Sequence, residues 1–317
     1  MSCIKVSKID NKLKMIKPAK LHKGDKIGVL STSSWVDESE LIDVKNYIET
    51  MGYEVYLHPQ APSQLNQSAG PAVDKVNALH ELFEDNEIKA IIGSRGGNRA
   101  ITMLDKLDFD LIAQNPKIIC GYSDLTCLLN SITKNTGLIT FHGPLFRELK
   151  KREDTDLLFK FYEDGEYNYE FSMAHCLRAG KAQGKLIGGN LSVLQSLCGT
   201  PFQPDTRGSI LFLEDIGDQI SRYDRMIAHL NLAGMFEGLA ALMVGSFSDT
   251  QDDDDRPFGF SIEEIIKEHT EQYSFPIITN APFGHEKELP PLPIGHTASL
   301  IAQGDNIEFK LVETPLS

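Results

Sequence analysis

The stretch Lys117-Ile118-Ile119-Cys120-Gly121-Tyr122-Ser123-Asp124-Leu125-Thr126-Cys127-Leu128 contains an apolar run, a short polar turn and a helical pattern in immediate succession. Residues 117–121 are typical of a buried strand, and the apolar residues from Leu125 onward are typical of a helix. A strand that turns tightly into a helix is the repeating unit of a parallel α/β sheet. This stretch therefore predicts an α/β fold, with Ser123 at the carboxyl end of a strand.

The same alternation of short apolar runs and longer helical patterns extends from Lys26 to about Pro144. In the first helical pattern, Leu41, Val44 and Ile48 are spaced to form one apolar face. The predicted strands are 27–31, 54–58, 90–94, 117–121 and 138–141, and the predicted helices are 38–51, 73–83, 99–107 and 125–134. This alternation of strands and helices predicts a doubly wound parallel sheet with helices on both faces.

Beyond Pro144 the alternation stops, and a strongly charged stretch over 147–170 reads as a helical or irregular connection. From about Ala179 the chain is richer in Gly, Pro and short apolar runs. The later predicted strands include 209–213, 240–244, 276–279 and 307–311, and the later predicted helices are 191–197, 224–233 and 262–269. We therefore expect an N-terminal α/β domain over 15–150, a linker over 151–178 and a mixed, strand-rich C-terminal domain over 179–317. The residues before Met15 are expected to form an extension.

The composition excludes several classes of protein. With 317 residues and 41% hydrophobic side chains, the chain has material for one large or two medium cores. A net charge of -14 repels a phosphate backbone, so nucleic acid is not expected as a partner. No apolar run suits a secretory signal or a membrane span, which favours a cytoplasmic protein.

Neither a metal nor a disulfide framework is expected. The five Cys residues are scattered and form no C-x-x-C pair, so reduced thiols are the simplest interpretation. The acidic run 252–255 lacks the alternating spacing and the distal Glu of a calcium loop, and we interpret it as a solvated loop.

Ser123 lies where a nucleophile would be exposed. Ligand crevices of open α/β sheets lie at the carboxyl ends of the strands, and the N–H groups that begin a helix can stabilise an oxyanion. The Asp124 N–H has that position. However, Leu125 replaces the second glycine of the G-x-S-x-G elbow, and a serine here could instead cap the helix. The spacing alone leaves both roles open.

A second turn, Gly93-Ser94-Arg95-Gly96-Gly97, follows the preceding strand. Glycine permits a close approach of backbone to ligand, so Gly96 or Gly97 could supply another oxyanion N–H. Arg95 could bind a substrate carboxylate. A phosphate-binding loop is the alternative, but G-x-x-x-x-G-K-[ST] and G-x-G-x-x-G are both absent, so no nucleotide cofactor is expected.

A serine nucleophile needs a general base and a group that orients the base. Of nine His residues, His142, His285 and His296 lie beside turns or strand ends. His285 has the most informative surroundings, because Gly284 and a Pro-Pro pair describe a rigid loop. Glu214 ends an apolar run and would need a partner if buried. The residues alone make Ser123, His285 and Glu214 one possible triad.

Several motifs occur in an order that resembles the LD-carboxypeptidase family of serine peptidases. They are Ser94-Arg95-Gly96-Gly97, Gly121-Tyr122-Ser123-Asp124-Leu125-Thr126, Phe141-His142-Gly143-Pro144, Gly188-Gly189-Asn190-Leu191, Gly199-Thr200-Pro201, Phe212-Leu213-Glu214-Asp215, Tyr223-Asp224-Arg225 and Phe283-Gly284-His285. The resemblance covers nearly the whole chain after Met15. It implies an N-terminal parallel-sheet domain, a β-barrel-like C-terminal domain, a site at their junction, no cofactor and, as in many members, a homodimer.

The resemblance also assigns roles to residues. It implies a Ser123, His285 and Glu214 triad, a backbone oxyanion hole at Gly97 and Asp124, and substrate contacts among Arg95, Gly96, Tyr122 and His142. The first strand is followed by Ser31-Thr32-Ser33-Ser34, where family members often have a Pro-Ser pair. The substrate contacts at that turn are therefore open.

Two substrates are compatible with the resemblance. Typical members remove the terminal D-Ala from cytoplasmic murein tetrapeptides. Microcin C immunity peptidases of the same family cleave the amide of peptidyl or aminoacyl nucleotides, usually with an added aromatic loop between the Ser and Glu motifs. Here that connection is short and the one Trp is Trp35, which favours the murein peptide. A non-catalytic small-ligand binding protein is the alternative from another class.

Overall fold

A computed structural model describes residues 14–317, so the expected N-terminal extension and Cys3 lie outside the described residues. The strands are β1 (Lys26–Leu30), β2 (Glu54–Leu57), β3 (Ile88–Gly93), β4 (Ile118–Gly121), β5 (Thr140–His142), β6 (His175–Arg178), β7 (Gly180–Asn190), β8 (Ser209–Ile216), β9 (Ala241–Ser248), β10 (Ile277–Thr279), β11 (Leu292–Ile294), β12 (Thr297–Gln303) and β13 (Asn306–Leu311). The α-helices are α1 (Glu38–Thr50), α2 (Ala72–Glu84), α3 (Phe109–Gln114), α4 (Thr126–Thr136), α5 (Thr155–Asp164), α6 (Leu191–Gln195), α7 (Ile220–Leu232) and α8 (Ile262–His269). Short 3-10 helices cover Ala100–Lys106, Ser123–Leu125 and Phe146–Lys151.

The first sheet has the strand order β11-β5-β4-β3-β1-β2, and its five N-terminal strands are parallel. Successive side chains of β1 point to opposite faces, so Val29 and Leu30 enter different apolar clusters. Helices α1 and α2 cover these two faces. The predicted α/β fold with a doubly wound parallel sheet is confirmed. One predicted helix, over 99–107, is instead the 3-10 helix Ala100–Lys106.

The charged stretch after Pro144 contains more structure than a connection needs. Helix α5 buries Phe159, Phe161 and Tyr162 in the same cluster as β1 and β5. The rings of Phe141 and Phe161 meet edge to face, with centroids 5.9 Å apart. Helix α5 therefore belongs to the core of the first sheet, and its charged residues form its outer face.

The second sheet has the order β13-β12-β7-β8-β9-β10-β6, and β6 approaches β12 so that the sheet nearly closes into a barrel. Its mixed, barrel-like character is as expected. The sequence did not indicate β7, because residues 180–190 lack the apolar alternation of a strand. Its glycines have a packing reason: a Cβ on Gly188 would lie 2.8 Å from the Phe212 backbone of β8.

The two sheets are interlocked. Strand β11 comes from the C-terminal part of the chain, yet it pairs antiparallel with β5 of the first sheet, with Leu292 opposite His142. Helix α4 contacts β7 directly, since the Asn130 amide donates to the Gly188 carbonyl at 2.8 Å and the Asn190 N–H donates to the Thr126 hydroxyl at 3.0 Å. The helix that follows Ser123 is thus fixed against the second sheet.

Across residues 14–317, no helix combines the length and the apolar character that a membrane span requires.

Replacing Phe161 by Ala should destabilise the protein by about 3 to 5 kcal/mol, because it leaves a cavity in a closely packed core. Urea denaturation followed by circular dichroism measures this change. Leu157→Ala on the same helix is the control, since Leu157 is 54% exposed and should change the free energy of unfolding by about 0.5 kcal/mol or less. Equal, small effects of both substitutions would show that α5 is only a connection.

Candidate active site

Ser123 lies immediately after β4 in a sharp turn. Its φ of 59° is in the left-handed region, which a serine adopts only where the surroundings impose it. The residue in the N-cap position of the 3-10 helix is Tyr122, and neither this helix nor α4 has a side-chain cap at its N-terminus. Ser123 therefore does not act as a helix cap, which was the alternative role. A strained serine between a strand and a helix is the geometry of a nucleophile elbow.

The glycine-rich turn after β3 lies against Ser123. A Cβ added to Gly96 would be 3.1 Å from Ser123 Oγ, and one added to Gly97 would be 2.6 Å from Ser33 Oγ. Gly97 also has a φ of 149°, a conformation that favours glycine. Backbone thus approaches the serine where a side chain would block it.

The buried Asp124 carboxylate fixes this arrangement. It accepts a hydrogen bond from the Ala100 N–H at 2.7 Å and another from the Ser33 hydroxyl. The Ser33 hydroxyl oxygen in turn accepts a bond from the Arg99 N–H at 3.1 Å. One side chain therefore connects the elbow, the first βα turn and the loop after β3.

His285 and Glu214 form a pair in the second half of the chain. The Nδ1–H of His285 donates to Glu214 Oε2 at 2.7 Å, and Glu214 is fully buried on β8. Gly284 makes this approach possible, because a Cβ at its φ of 128° would lie 3.2 Å from Glu214 Cβ. A proton on Nδ1 leaves Nε2 as the nitrogen that can accept a proton.

The electrostatics of the pair favour a basic imidazole. Burial acts to lower the pKa of His285, but the hydrogen bond and the charge of Glu214 outweigh it, and the pKa is raised above its usual 6.5. A carboxylate beside the imidazole stabilises the protonated form that appears when a histidine accepts a proton during catalysis.

A cavity of about 720 Å³ brings Ser123 and His285 onto one lining. The other lining residues are Ser34, Gln67, Arg95, Gly96, Gly97, Tyr122, Leu145, Arg147, Glu148, Lys151, Arg152, Glu153, Lys287 and Glu288. Within the described residues no hydrogen bond joins Ser123 to His285; catalytic hydrogen bonds often tighten only when substrate binds. An adjoining cavity of about 820 Å³ shares Glu153 and Glu288 with this one but contains neither Ser123 nor His285.

The predicted substrate contacts divide into two groups. Arg95, Gly96 and Tyr122 line the cavity, and the Arg95 guanidinium donates to the Trp35 carbonyl at 3.2 Å. His142 is fully buried behind Tyr122, with ring centroids 5.8 Å apart, and is not part of the lining. Burial lowers the pKa of His142 to about 3, so this ring is neutral at physiological pH. Its position corrects the expectation of direct contact with substrate.

Glu148 and Arg152 are among the lining residues that the sequence analysis missed. Glu148 and Arg152 belong to the charged stretch that reads as a connection, and the only sequence signal for them is their i, i+4 spacing. In residues 14–317, no group of His, Cys, Asp and Glu side chains is arranged to hold a metal ion. The four described Cys residues are free thiols.

This geometry agrees with the comparison to known proteins: the chain belongs to the LD-carboxypeptidase family and is a serine-type carboxypeptidase. Residues 27–143 match the family's N-terminal domain and residues 183–300 match its C-terminal domain. Family membership favours an enzyme over a non-catalytic binding protein.

Relatives of this chain carry two kinds of name. A probable murein peptide carboxypeptidase from Bacillus subtilis is 35% identical over 90% of this chain and 91% of its own. The crystal structure of an MccF-like protein from Bacillus anthracis has a TM-score of 0.82 at 29% identity and covers 93% of this chain and 99% of its own. That of a muramoyltetrapeptide carboxypeptidase from Oxalobacter formigenes has a TM-score of 0.80 at 28% identity and covers 92% of this chain and 99% of its own.

Glu214→Gln should lower the pKa of His285, because the substitution removes the negative charge that offsets burial. The measurement is an NMR titration of the His285 ring, which in the wild type should titrate above 6.5. Glu308→Gln, on an exposed strand far from the cavity, is the control and should not move the titration. An unchanged His285 pKa in Glu214→Gln would contradict the electrostatic account of the pair.

Proposed function

We propose that this carboxypeptidase removes the terminal D-Ala from murein tetrapeptides, with Ser123 as nucleophile, His285 as general base and Glu214 as the residue that orients His285. The observation that carries the proposal is the cavity in which a strained Ser123 shares one lining with His285, whose ring is hydrogen-bonded to the buried Glu214. A nucleophile, a base and an orienting carboxylate are the parts that acyl transfer requires.

The proposed mechanism assigns one role to each of these groups. His285 Nε2 accepts the Ser123 proton as Oγ attacks the scissile carbonyl, and the N–H groups of Gly97 and Asp124 stabilise the oxyanion. His285 then donates that proton to the leaving amine, and a water molecule hydrolyses the acyl-enzyme. Loss of one oxyanion donor typically lowers kcat by about 10² to 10³.

The charge of the cavity supports a substrate that carries carboxylates. Its lining has five basic side chains and three acidic ones; Arg147 is paired with Glu40 and Arg152 with Asp154, which leaves Arg95, Lys151 and Lys287 for a substrate. The basic residues are Arg95, Arg147, Lys151, Arg152 and Lys287, and the acidic ones are Glu148, Glu153 and Glu288. Arg95 directly precedes the Gly96-Gly97 turn, and we assign to it the free carboxylate of the substrate. Murein peptides contain such carboxylates.

The cavity gives less support to a nucleotide-linked substrate. Tyr122 is the one aromatic side chain of the described lining apart from His285, and its ring already packs on His285 with centroids 4.8 Å apart. No second ring of that lining is available to stack on a base. Cleavage of peptidyl or aminoacyl nucleotides, as in the microcin C immunity branch, is therefore the alternative. A cytoplasmic location, expected from the sequence, and a homodimer, implied by the family resemblance, stay predictions.

Ser123→Ala should abolish hydrolysis of a murein tetrapeptide, with a loss in kcat of about 10³-fold or more, while the protein stays folded. D-Ala release measures the activity, and aminoacyl sulfamoyl adenosine is assayed side by side as the alternative substrate. Ser299→Ala on strand β12 is the control and should retain wild-type kcat. Unchanged turnover in Ser123→Ala would refute the triad, and a preference for the sulfamoyl adenosine would assign the enzyme to the other branch.

Arg95→Gln should raise KM for the tetrapeptide by about 10-fold, because a charge-assisted hydrogen bond to the terminal carboxylate is lost. The same peptide with a C-terminal amide should be a poor substrate for the wild type and should be affected little by the substitution. Steady-state kinetics on both peptides form a double-mutant cycle. Equal effects of Arg95→Gln on the acid and the amide would place the carboxylate elsewhere.

A further inference from the structure

His285 makes a second set of contacts that the triad does not use. Its ring packs against Tyr122, with centroids 4.8 Å apart and an angle of 49° between the planes. The Tyr122 hydroxyl donates to Glu148 Oε1 at 3.0 Å, and the Arg152 guanidinium lies 3.8 Å from Glu148 Oε2. Arg152 also donates to the carbonyl of Glu286 at 3.4 Å. The contacts therefore form a closed ring. It leads from the His285 imidazole through the side chains of Tyr122, Glu148 and Arg152 to the backbone of Glu286, the residue after His285.

Arg152 is anchored well enough to hold this ring of contacts. Its side chain is 9% exposed and forms two bonds to the Asp154 carboxylate, at 2.9 and 3.3 Å. Asp154 Oδ2 also accepts the Leu289 N–H at 2.9 Å. Arg152 and Asp154 thus bind the loop that carries His285, Arg152 at Glu286 and Asp154 at Leu289.

Glu148 is placed to act on His285 electrostatically. Burial raises the pKa of Glu148, whereas the Tyr122 hydroxyl and the Arg152 charge act to lower it and stabilise its ionised form. The charged groups that act on His285 are the carboxylates of Glu214, Asp215 and Glu148, and Arg152 lies beyond Glu148. The buried His142 also lies near the imidazole, and its own pKa is lowered by burial and by His285. Of the three carboxylates that act on His285, Glu148 is the one that belongs to the first half of the chain.

We propose that Tyr122, Glu148 and Arg152 are positioning residues for His285 and hold its ring from the first half of the chain. The Glu148 carboxylate also places a negative charge on this side of the imidazole. This inference rests on the proposed role of His285 as general base. Glu214 fixes Nδ1, and the Tyr122 ring fixes the plane of the imidazole. Glu148 holds Tyr122 in place through the hydrogen bond from its hydroxyl, and Arg152 holds the 284–290 loop through the Glu286 carbonyl.

The first test separates the effect of the Glu148 charge on His285 from the effect of side-chain packing. Glu148→Gln keeps the size of the side chain and an oxygen that can accept the Tyr122 hydrogen bond, but it removes the charge. The loss of a nearby negative charge should lower the pKa of His285, so the acid limb of the kcat/KM profile should move to lower pH. Glu153→Gln, on the same cavity but exposed, is the matched control and should leave the His285 titration unmoved.

Two further variants test positioning. Tyr122→Phe keeps the ring and removes the hydroxyl, and Arg152→Met removes the anchor; both should lower kcat by about 10-fold with little change in KM. Arg152→Lys should restore part of the loss, because it returns the charge without the bidentate geometry. A uniform loss of kcat in Glu148→Gln at every pH, with no shift in the acid limb, would overturn the proposal.

The His285 titration is followed by NMR in the Ser123→Ala background, which requires no turnover. A shift of this pKa in Glu148→Gln supports the coupling even if the proposed substrate is wrong. An unmoved pKa refutes the coupling even if the triad is correct. Circular dichroism checks that each variant is folded, and Tyr122→Phe provides the second measurement if Glu148→Gln does not fold.

Discussion

The buried Glu214 carboxylate is the constraint on which the site depends. A carboxylate without solvent is costly unless it is hydrogen-bonded, and here its partner is the His285 ring at 2.7 Å. That contact requires Gly284, because any side chain there would collide with Glu214 and with the Ser246 hydroxyl. It also requires the loop to lie close to β9, where Gly245 leaves room for the Phe283 ring and carbonyl. Gly284 and Gly245 therefore follow from the close approach that this hydrogen bond requires.

The first half of the chain, which contains Ser123, also has a buried carboxylate that needs hydrogen-bond donors. Asp124 is buried, and its Oδ2 accepts bonds from the Ser33 hydroxyl and the Ala100 N–H, which belong to two other turns. These bonds hold the turns after β1, β3 and β4 together at one edge of the sheet, where a parallel sheet binds its ligands. The Ser31-Thr32-Ser33-Ser34 turn, which departs from the usual family sequence, thus contributes a hydroxyl to the support of the elbow.

Local pattern was enough to predict much of this molecule. The five parallel strands, α1 and α8 were predicted from apolar runs and their spacing, and in the structure α8 begins at a Ser261–Glu264 capping box. The sequence also singled out Ser123, Glu214 and His285, because each lies at a strand end or in a rigid loop. Contacts between distant segments could not be predicted this way: β7 lacks apolar alternation, and α5 is hidden by its charged outer face. Nothing local distinguishes a histidine in the cavity wall from one behind it, as with His142, and nothing marks Glu148 and Arg152 as neighbours of His285.

The antiparallel pairing of β11 with β5 has a consequence for biosynthesis. The first sheet is largely encoded before residue 143, but its edge at β5 stays open until Leu292–Ile294 has been synthesised. Because domains generally fold from the N-terminus during translation, the nascent chain carries a nearly complete sheet with an exposed edge while residues 143–291 are synthesised. Closing that edge and delivering His285 to the cavity occur within the same ten residues of chain. A chain that stops before this point has neither His285 nor the completed sheet, so the proposed active site cannot form until residues 285–294 have been synthesised.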